Sequence, residues 1–583
     1  MFIILRSLWP DRRGYALLVT MTFLAVSVIL LASIMSWTSN ETAMTARNNS
    51  YNVSVSAAEA ATEMVIAQMD RDFIYQSVNT DLNQYRYLVP NAIQASWPTQ
   101  FRFSDGLGNA NETAVVSLGP AVVTNLDSQF AGLYGLVSPY QITSQARVSD
   151  GLYPASAAVR QSVQFASIPI FQFAIFYGVD LEINPGAPMV VTGKVHSNAN
   201  LYSAPPASLE FKDDVTAVGQ IIPHRDPNDP QSDGTAIPVF DKAHVDQVSS
   251  LTLPIGIQGN SPNAVQQVLD PPPSSGDTNA ALAKQRFYNE ADLVVTTTSN
   301  GVQVTTGAWN HFAAVPPDGT NKTSASYSFL NTGVSFYDYR EGKSTVATEI
   351  DVGKFNAWLA DPNKGGSINT YSLGHHLDSI YVDDQRNVSG QLTAVRVTDG
   401  SVLPPDGLTV ATDLPLYVKG NYNLNNGDTT PGQTDTSKTK PAALVGDAIT
   451  ILSGNWADGY NSSTLLSSRP PASTTVNAAF IGGIVESATV ANTKHYSGGV
   501  ENFPRFLENW SSSTPLTYNG SMVVLFASQH ATGFWQNTGV YYNAPKRLWA
   551  FDVNFLQQSR LPPCTPQVRK LVRGQWSVIA SSN

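Results

Sequence analysis

The first long pattern in the chain is an uninterrupted run of apolar and small polar residues. Between Tyr15 and Asn40 there are 26 residues, none of them Asp, Glu, Lys or Arg, and neither glycine nor proline occurs between positions 15 and 89. Nothing in this stretch therefore breaks a helix. At roughly 1.5 Å per residue the run spans about 39 Å, which is long enough to cross a bilayer. The pattern predicts a single membrane-spanning helix.

The charges that flank this run predict its orientation. Arg6, Arg12 and Arg13 precede it with only Asp11 to offset them, and the first charge after it is Glu41. Basic residues stay on the cytoplasmic side, so we expect the first 14 residues inside the cell and everything after the run exported. The alternative is a cleaved secretory signal, but its apolar core would be only about 7 to 15 residues long.

Larger or apolar side chains continue beyond the run at steps of three, four or seven. This spacing marks one face of a helix and predicts that the helix continues to residue 73. The alternative for part of the stripe is packing on the protein's own body. The stripe consists of Met44, Tyr51, Val55, Ala58, Thr62, Val65, Met69 and Phe73.

Two motifs in this region resemble those of a known family. The basic leader Arg12-Arg13-Gly14 before the apolar run resembles the class III signal of type IV pilins and type II secretion pseudopilins, and the alanine-rich segment 56–61 resembles the one that closes the PilX-type amino-terminal domain. The resemblance covers residues 8 to 70. It implies that a prepilin peptidase cuts between Gly14 and Tyr15 and methylates the new amine. It also implies other pilins, the pilus assembly machinery and the inner membrane as partners.

One position departs from the pattern of major pilins. They carry Glu at the fifth mature position, where this chain has Val19. A carboxylate in a bilayer costs about 2.5 to 3.5 kcal/mol on insertion scales, so it is kept only where it is used. Its absence is shared with PilX-like minor pilins and with the K-type pseudopilins at the fibre tip. The resemblance therefore favours a minor or tip subunit.

Beyond residue 73 the pattern changes to short strands separated by Pro, Gly, Asn and Asp. Residues 190–201 and 416–424 both read as a strand, a glycine and alternating side chains that end in Asn and Leu. Stacked turns with Gly at corners and Asn ladders are typical of a parallel β-solenoid. An antiparallel sandwich uses similar strands and stays as the alternative, because the two runs share no strict repeat length. We expect a long amino-terminal α-helix followed by a mainly β body with parallel β-solenoid rungs and an α/β insertion.

These patterns divide the chain into seven segments. Within the insertion, the pattern predicts a helix from Asn279, a hairpin over residues 292–306 and a short helix capped by Asp351. The segments are the basic leader 1–14, the transmembrane and amphipathic helix 15–73, an α+β head region 74–165, β-rich rungs 166–240, the α/β insertion 241–377, further β-rich rungs 378–455 and a β-rich carboxyl-terminal cap 456–583.

Composition excludes several classes of protein. Charged residues are 14% of the 583 positions against about 25% in an average protein, and the net charge is −11. A nucleic-acid-binding protein would need clustered Lys and Arg, so nucleic acid is not expected as a partner. The single cysteine, Cys564, excludes an intramolecular disulfide and a thiol-based zinc site, and we expect it to be a free thiol in a loop.

No nucleotide-binding, esterase or metalloprotease motif is present in the sequence, so we expect no catalytic residue and no cofactor. The best chemical candidate is His375 and His376 with Asp378, followed by Asp383 and Asp384; these could hold a metal or form a hydrolytic carboxylate pair. A solvated loop is the alternative there. A second, oxygen-rich loop could hold Ca²⁺ or be an ordinary surface turn. Its oxygen donors are Asp226, Asn228, Asp229 and Asp233. His196 lies on an alternating strand, where a structural histidine is expected.

Three functions fit these features. The first is a non-catalytic minor or tip subunit of a type IV pilus or related pseudopilus, located in the inner membrane and then in the periplasm or surface pilus, with its body displayed for assembly priming or adhesion. The alternative is a membrane-anchored exported β-solenoid that binds or hydrolyses a surface polysaccharide, with Asp378, Asp383 and Asp384 as candidate carboxylates. The third is a tethered envelope protein that never polymerises.

Overall fold

The computed structural model describes residues 13–75, 78, 80–90, 101–149, 154–256, 262–307, 327–368, 375–425 and 435–579. Of the residues proposed for a site, Arg12 lies outside these ranges together with the rest of the leader before residue 13.

The amino-terminal helix α1 runs without a break over Arg13–Tyr75, two residues beyond the predicted bounds at each end. Its length follows from the absence of glycine and proline between Tyr15 and Tyr75. The long helix is therefore confirmed. The other described helices are α2 Asn83–Arg86, α3 Pro262–Gln266, α4 Ala280–Ala283, α5 Phe287–Glu290 and α6 Val352–Ala360.

Two helices in the middle of the chain begin with a side-chain cap, and the one at Asp351 was predicted. The Asp351 carboxylate accepts a hydrogen bond from the Lys354 amide at the start of α6, and the Asn279 side chain does the same for two amides of α4. The helix predicted after Asn279 is however broken in two, because Arg286 is extended and its guanidinium is held by the Asp277 carboxylate at 2.9 Å. The side chain of Arg286 thus ends α4 before α5 begins.

An antiparallel sheet, here the head sheet, packs against the second half of α1. Its central strands β4 and β5 pair along twelve positions, and the carboxyl-terminal strand β34 adds to the outer edge of β5. The head sheet therefore joins residues from the start and the end of the chain. Its strands are β1 Phe101–Ser104, β2 Ala114–Ser117, β3 Val122–Asn125, β4 Tyr134–Val148, β5 Ser156–Pro169 and β34 Gln567–Ile579.

After the head sheet the chain makes three stacked turns with parallel pairing. Each turn adds one strand to each of three sheets, so that Leu201 lies between Leu181 and Ile221. The antiparallel sandwich does not allow this arrangement. The strands are β7 Leu181–Glu182, β8 Met189–Val191, β9 Val195–Ser197, β10 Leu201–Tyr202, β11 Leu209–Phe211, β12 Val215–Ala217, β13 Ile221–Ile222, β14 Val239–Phe240 and β15 His244–Val245.

The first two turns repeat every 20 residues, a period that the sequence analysis missed. Residues 181–200 and 201–220 align without a gap, and Val195 pairs with Val215. Polar side chains repeat with the same period, since Asp180 accepts from the Asn200 amide and Asn200 accepts from the Gln220 amide. The third turn carries extra residues between β13 and β14, so the repeat is lost there.

Two large, mainly parallel sheets form the rest of the body. The longer one has the order β15-β12-β9-β6-β32-β27-β24-β22-β20-β16-β17, and only the β16–β17 hairpin is antiparallel. That hairpin was predicted over residues 292–306. The additional strands of this long sheet are β6 Ile175–Tyr177, β16 Leu293–Thr298, β17 Gly301–Thr306, β20 Ser379–Asp384, β22 Leu408–Ala411, β24 Ala442–Val445, β27 Ala479–Ile484 and β32 Met522–Ala527.

The second, nine-stranded sheet shares one hydrophobic core with the long sheet. Strands from the segments predicted as an insertion and as a cap belong to both sheets, so these segments are part of the same stack. The strands of the nine-stranded sheet are β18 Leu330–Asp338, β19 Lys343–Asp351, β21 Leu392–Gly400, β23 Leu416–Tyr422, β25 Ile449–Leu452, β26 Thr474–Asn477, β30 Arg505–Phe506, β31 Pro515–Gly520 and β33 Lys546–Phe551, and a separate hairpin comprises β28 Ala488–Val490 and β29 Thr493–His495.

The long sheet is buried on both faces. One face shares the core with the nine-stranded sheet, and the other packs against α3, α4 and α5 and residues 251–255. This explains why its strands are continuous apolar runs such as Ala442–Val445 instead of alternating patterns.

The stretch from Ala443 to Leu452 was predicted as one strand and is two. The chain turns at Gly446, and β24 and β25 belong to different sheets. A Cβ at Gly446 would lie 2.8 Å from the Leu414 carbonyl oxygen, so the corner requires glycine.

An asparagine ladder links three strands of the nine-stranded sheet. The Asn519 side-chain amide donates to the Asn477 side-chain oxygen at 2.8 Å, and the side chains of Asn477 and Asn423 donate to each other's backbone carbonyls at 2.8 Å. All three residues are buried, so these bonds satisfy polar groups that would otherwise destabilise the stack. An asparagine ladder is what the sequence analysis expects of stacked turns.

Several carboxyl groups are buried at the ends of the rungs. Burial raises the pKa of Glu182 to about 8, although the Ser487 and Ser497 hydroxyls donate to its Oε1. Burial likewise raises the pKa of Glu501 and of Glu508 to about 7. At neutral pH the folded body therefore holds protons that the unfolded chain, with Glu near 4.3, has released.

We expect the body to be most stable at mildly acidic pH. Between about pH 4.5 and 8 the folded state binds more protons than the unfolded state, so the free energy of unfolding falls as the pH rises, by up to about 1.4 kcal/mol per unit for each such group. Thermal unfolding of the full chain in detergent should give a lower Tm at pH 8 than at pH 5. Glu182→Gln should reduce this pH dependence, whereas Glu210→Gln at a partly exposed position should not. An equal dependence of Tm on pH in wild type, Glu182→Gln and Glu210→Gln would contradict the assignment of a raised pKa to Glu182.

Candidate functional site

The apolar side chains in the first half of α1 are exposed. Tyr15, Phe23 and Leu24 are each at least 70% exposed, and Trp37 is 66% exposed. Within the described residues this is the helix that is long and apolar enough to cross a membrane. A soluble domain rarely leaves such a surface uncovered, so this half of the helix requires lipid or other apolar surfaces around it.

Several polar side chains in this half donate hydrogen bonds within the helix. The Thr20 hydroxyl donates to the Ala16 carbonyl at 2.9 Å, and Thr22, Ser33 and Thr38 bond in the same way to carbonyls of the preceding turn. A hydrocarbon environment supplies no other partner for a hydroxyl group. The hydrogen bonds of this half are therefore compatible with burial in lipid or in a bundle of helices.

The residues predicted for processing lie at the start of α1. Gly14 is in the first turn, Tyr15 follows it with an exposed ring, and Val19 is 47% exposed one turn further on. The cut predicted between Gly14 and Tyr15 thus falls within the first turn of α1, and Val19 contributes to the apolar surface.

The second half of α1 packs on the head sheet. Of the predicted stripe, Met44 and Tyr51 are exposed, whereas the five positions from Ala58 onward that belong to it are buried. The small side chains of the alanine-rich segment allow close packing: Ala57, Ala58 and Ala61 share a cluster with Ala146 and Val159 of β4 and β5. Only the part of the stripe from Ala58 onward therefore packs on the protein's own body.

The carboxyl-terminal strand β34 holds this half of the helix in place. The Arg569 guanidinium donates to the Phe73 carbonyl at 2.7 Å in the last turn of α1, where a cation also interacts favourably with the helix dipole. Arg573 forms a bidentate pair with Glu63 at 2.6 and 2.8 Å, which lowers the pKa of Glu63. Residues about 500 positions apart thus fix the angle at which the exposed half leaves the body.

The structure divides the His375 candidate into two groups. His375 Nδ1 lies 3.3 Å from an Asp378 carboxylate oxygen and 3.8 Å from an oxygen of Asp292, a residue that the sequence analysis missed as a ligand. His376 turns the other way and pairs with Asp406 at 2.8 Å. Asp292 was missed because it is 83 positions before His375 and lies at the start of a predicted hairpin.

The parallel register explains why Asp292 and Asp378 meet. Leu293 of β16 pairs with Ile380 of β20, so the residues just before these strands lie side by side at one edge of the long sheet. The Asp378 amide donates to Asp292 at 2.9 Å, and the Asp292 amide donates to the Ser379 hydroxyl at 2.9 Å. An aspartate directly before a buried strand is the sequence signal that could have identified both positions.

The charges of this group depend on one another. Burial, followed by the nearby Asp292 carboxylate, raises the pKa of Asp378 to about 8. Burial lowers the pKa of His375, but the His376 carbonyl and the carboxylates of Asp378 and Asp292 outweigh it, and the net shift is upward. The raised pKa values mean that this arrangement favours the protonated forms of His375 and Asp378.

The other carboxylates proposed for a hydrolytic pair are separated. Asp383 and Asp384 are neighbours on β20, so their side chains point to opposite faces of the sheet. Asp383 accepts from Gln385 at 2.7 Å, and Asp384 pairs with Arg386 at 2.5 Å and accepts from the Thr348 hydroxyl at 2.7 Å. The structure does not bring these two residues together with Asp378.

The oxygen donors of the predicted Ca²⁺ loop face different partners. Asp226 accepts from the Asn228 amide at 2.7 Å, while the Asn228 side chain accepts from Thr489 at 3.0 Å. Asp229 pairs with buried Arg225 at 2.6 Å, and Asp233 pairs with His224 at 2.7 Å. These contacts hold the loop to itself and to β28.

His196 and Cys564 are packed into the body. Both His196 ring nitrogens have partners, Thr216 at 2.8 Å and Asn198 at 3.1 Å, and burial lowers its pKa to about 4, so the ring is neutral. Cys564 is a free thiol, as expected, and is half-buried. Burial and the neighbouring carboxylates of Glu290, Asp378 and Asp292 raise its pKa well above the usual value. The thiol is therefore protonated and unreactive at neutral pH.

No protein-family model and no curated protein matches the chain. Among solved structures, the chain is similar to the crystal structure of the competence-associated pilin ComZ from Thermus thermophilus, with 12% sequence identity, coverage of 90% of this chain and 96% of that chain, and a TM-score of 0.26. A TM-score this low does not establish a shared fold.

We expect removal of Arg569 to free the last turns of α1. Arg569→Ala deletes the cation at the helix end and a partly buried charged hydrogen bond, which typically contributes about 1.5 to 3 kcal/mol. Hydrogen exchange of the amides of residues 66–75 should become faster in the full chain. Arg569→Lys should restore part of the protection, and Arg102→Ala on the exposed side of β1 should leave it unchanged. Identical exchange in wild type and Arg569→Ala would show that β34 does not hold the helix.

Proposed function

We propose that the protein is a non-catalytic subunit of a type IV pilus or a related pseudopilus, and that its body is exported while α1 remains in the inner membrane until assembly. The observation that supports this most is the division of α1. Its first half is apolar, uncharged and exposed, and it continues without a break into a second half that packs on the body.

The exposed half fits two successive environments. A bilayer covers an uncharged apolar helix from all sides, and a bundle of similar helices in a fibre core does the same. In both environments the same side chains are buried, so transfer from membrane to fibre needs no change in this half of the helix. A soluble role would leave the same residues in contact with water.

A minor or tip position is the finer part of this proposal. The fifth position after the expected cleavage site is Val19, whose side chain is apolar and exposed on α1. A neighbouring subunit would find no carboxylate there to pair with its terminal amine. We therefore expect the chain to enter the fibre once, at an end, with its body displayed for assembly priming or adhesion.

Processing by a prepilin peptidase is the step that the sequence makes testable. Gly14→Glu places a bulky charged side chain at the expected cut, so the chain should keep its leader, remain in the inner membrane and be missing from sheared fibres. Intact-mass spectrometry of the membrane and fibre fractions measures this. Ser7→Glu changes the charge of the leader by the same amount away from the cut and should be processed normally. If Gly14→Glu reaches the fibre at the mature mass and in normal amount, the proposal is wrong.

A second candidate, binding of a surface glycan, is favoured by one cavity. It measures about 340 Å³ and lies between residues 129–133 and the outer face of the rungs. Phe130 and Phe173 contribute apolar surface, while Lys194, Asp214 and Thr216 supply polar groups. This size and mixed lining fall within the range of small-ligand sites.

We expect glycan binding, if this candidate is right, to depend on the rim of that cavity. Lys194→Ala removes the ammonium group that pairs with Asp213 and Asp214 and should weaken binding on a glycan array about tenfold or more. Lys343→Ala, at an exposed position on β19, serves as the control. Absence of glycan binding by the wild-type chain would leave the structural role as the function of the body.

A further inference from the structure

We propose that Asp292, His375 and Asp378 form a binding site for one divalent transition-metal ion such as Zn²⁺. This site does not depend on the pilus proposal, because it lies in the body and its test measures bound metal directly.

The donor atoms lie close together. His375 Nδ1 is 3.3 Å from Asp378 Oδ2 and 3.8 Å from Asp292 Oδ2, and it hydrogen-bonds to the His376 carbonyl oxygen at 2.7 Å. One donor atom from each of the three side chains can be chosen so that all lie within 4.8 Å of one another. Zinc ligands at about 2.0 to 2.2 Å in a tetrahedron are roughly 3.4 Å apart. Shifts of a few tenths of an ångström therefore convert the observed arrangement into a metal shell.

The two carboxylates are held in place before any metal binds. Asp292 is 1% exposed and Asp378 is 8% exposed, and the backbone amide of Asp378 donates to Asp292 at 2.9 Å. Both follow from the pairing of β16 with β20, which is part of a buried sheet. Two of the ligands are thus preorganised, and only His375, whose side chain is 39% exposed, needs to move.

The charge of the group favours a divalent cation. With both carboxylates ionised and the imidazole neutral, which are the forms that bind metal, the three side chains sum to −2. A divalent ion balances this charge, and the protons that the three groups hold leave to solvent. The same exchange relieves the close approach of two buried carboxylates, which is costly without a cation between them.

The ligand types select the class of metal. Imidazole nitrogen is a ligand of zinc and other transition metals, whereas sites for calcium use oxygen donors, typically six to eight of them. Three side chains and one water molecule complete a four-coordinate shell, which zinc adopts where three protein ligands hold it. The metal would then join residues 375–378 to the start of β16.

His376 provides a matched internal control. It is adjacent to His375 and more exposed, with 62% of its side chain accessible, and its imidazole pairs with Asp406 at 2.8 Å, outside the proposed shell. Loss of a surface histidine alone is therefore the same in His375→Gln and His376→Gln, and only the first removes a ligand.

The test is metal binding by the full chain in detergent after removal of metals with a chelator. Equilibrium dialysis against ZnCl₂, followed by elemental analysis, should give one tightly bound Zn²⁺ per chain and a raised Tm. His375→Gln and Asp378→Asn should each weaken this binding at least tenfold, and His376→Gln should leave it unchanged. Co²⁺ bound in place of Zn²⁺ should give visible absorption of a four-coordinate site, and His375→Gln should remove it.

Several outcomes would overturn the proposal. One is the absence of tight Zn²⁺ binding to the wild-type chain. A second is equal Zn²⁺ binding by wild type and His375→Gln, which would assign the metal to other surface residues. A third is saturable binding of CaCl₂ in preference to ZnCl₂, which would reject the transition-metal class. Because His375 is half exposed, His375→Gln should fold, and near-ultraviolet circular dichroism checks this. Should Asp378→Asn not fold, His375→Gln decides the question.

Discussion

The body depends on one constraint, the parallel register in which each turn of the chain is placed on the previous one. The chain enters the long sheet at β6, proceeds outward through β9, β12 and β15, and then re-enters at the far end with β16. It returns strand by strand until β32 pairs with β6, where Met522 lies beside Ile175. Two runs of strands thus form one sheet, and the pairing of β32 with β6, which lie more than 300 residues apart in the chain, joins them.

That register also decides where polar groups collect. Apolar side chains fill the space between the two large sheets, and several polar and charged residues collect at corners and strand ends. Asn423, Asn477 and Asn519 bond to one another along the stack, and Asp292 and Asp378 meet where neighbouring strands begin. Glu182, Glu501 and Glu508 likewise have their carboxyl groups buried within the stack. Their raised pKa values are a consequence of dense stacking rather than a sign of chemistry.

The connection between α1 and the body combines local and distant contacts. Alanines at 57, 58 and 61 allow the helix to lie close to β4 and β5. Arg569 and Arg573 of β34, from the opposite end of the chain, hold the second half of the helix. An apolar rod held at a fixed angle to a large body can pack among other helices while the body stays outside them. The observed packing therefore supports a structural role for the helix and leaves the body surface available for other contacts.

The sequence by itself determined the long helix, the change to short strands after it, the β16–β17 hairpin and the cap at Asp351. These follow from local rules: the absence of glycine and proline, the spacing of apolar residues and the side chains that bond to nearby amides. It also contained the 20-residue repeat over 181–220, which the extra residues of the third turn concealed. Only the tertiary structure decided that β24 and β25 belong to different sheets, that His375 and His376 have different partners, and that Asp292 joins Asp378. These depend on pairings between residues tens to hundreds of positions apart, and such pairings are fixed by the register of the whole stack.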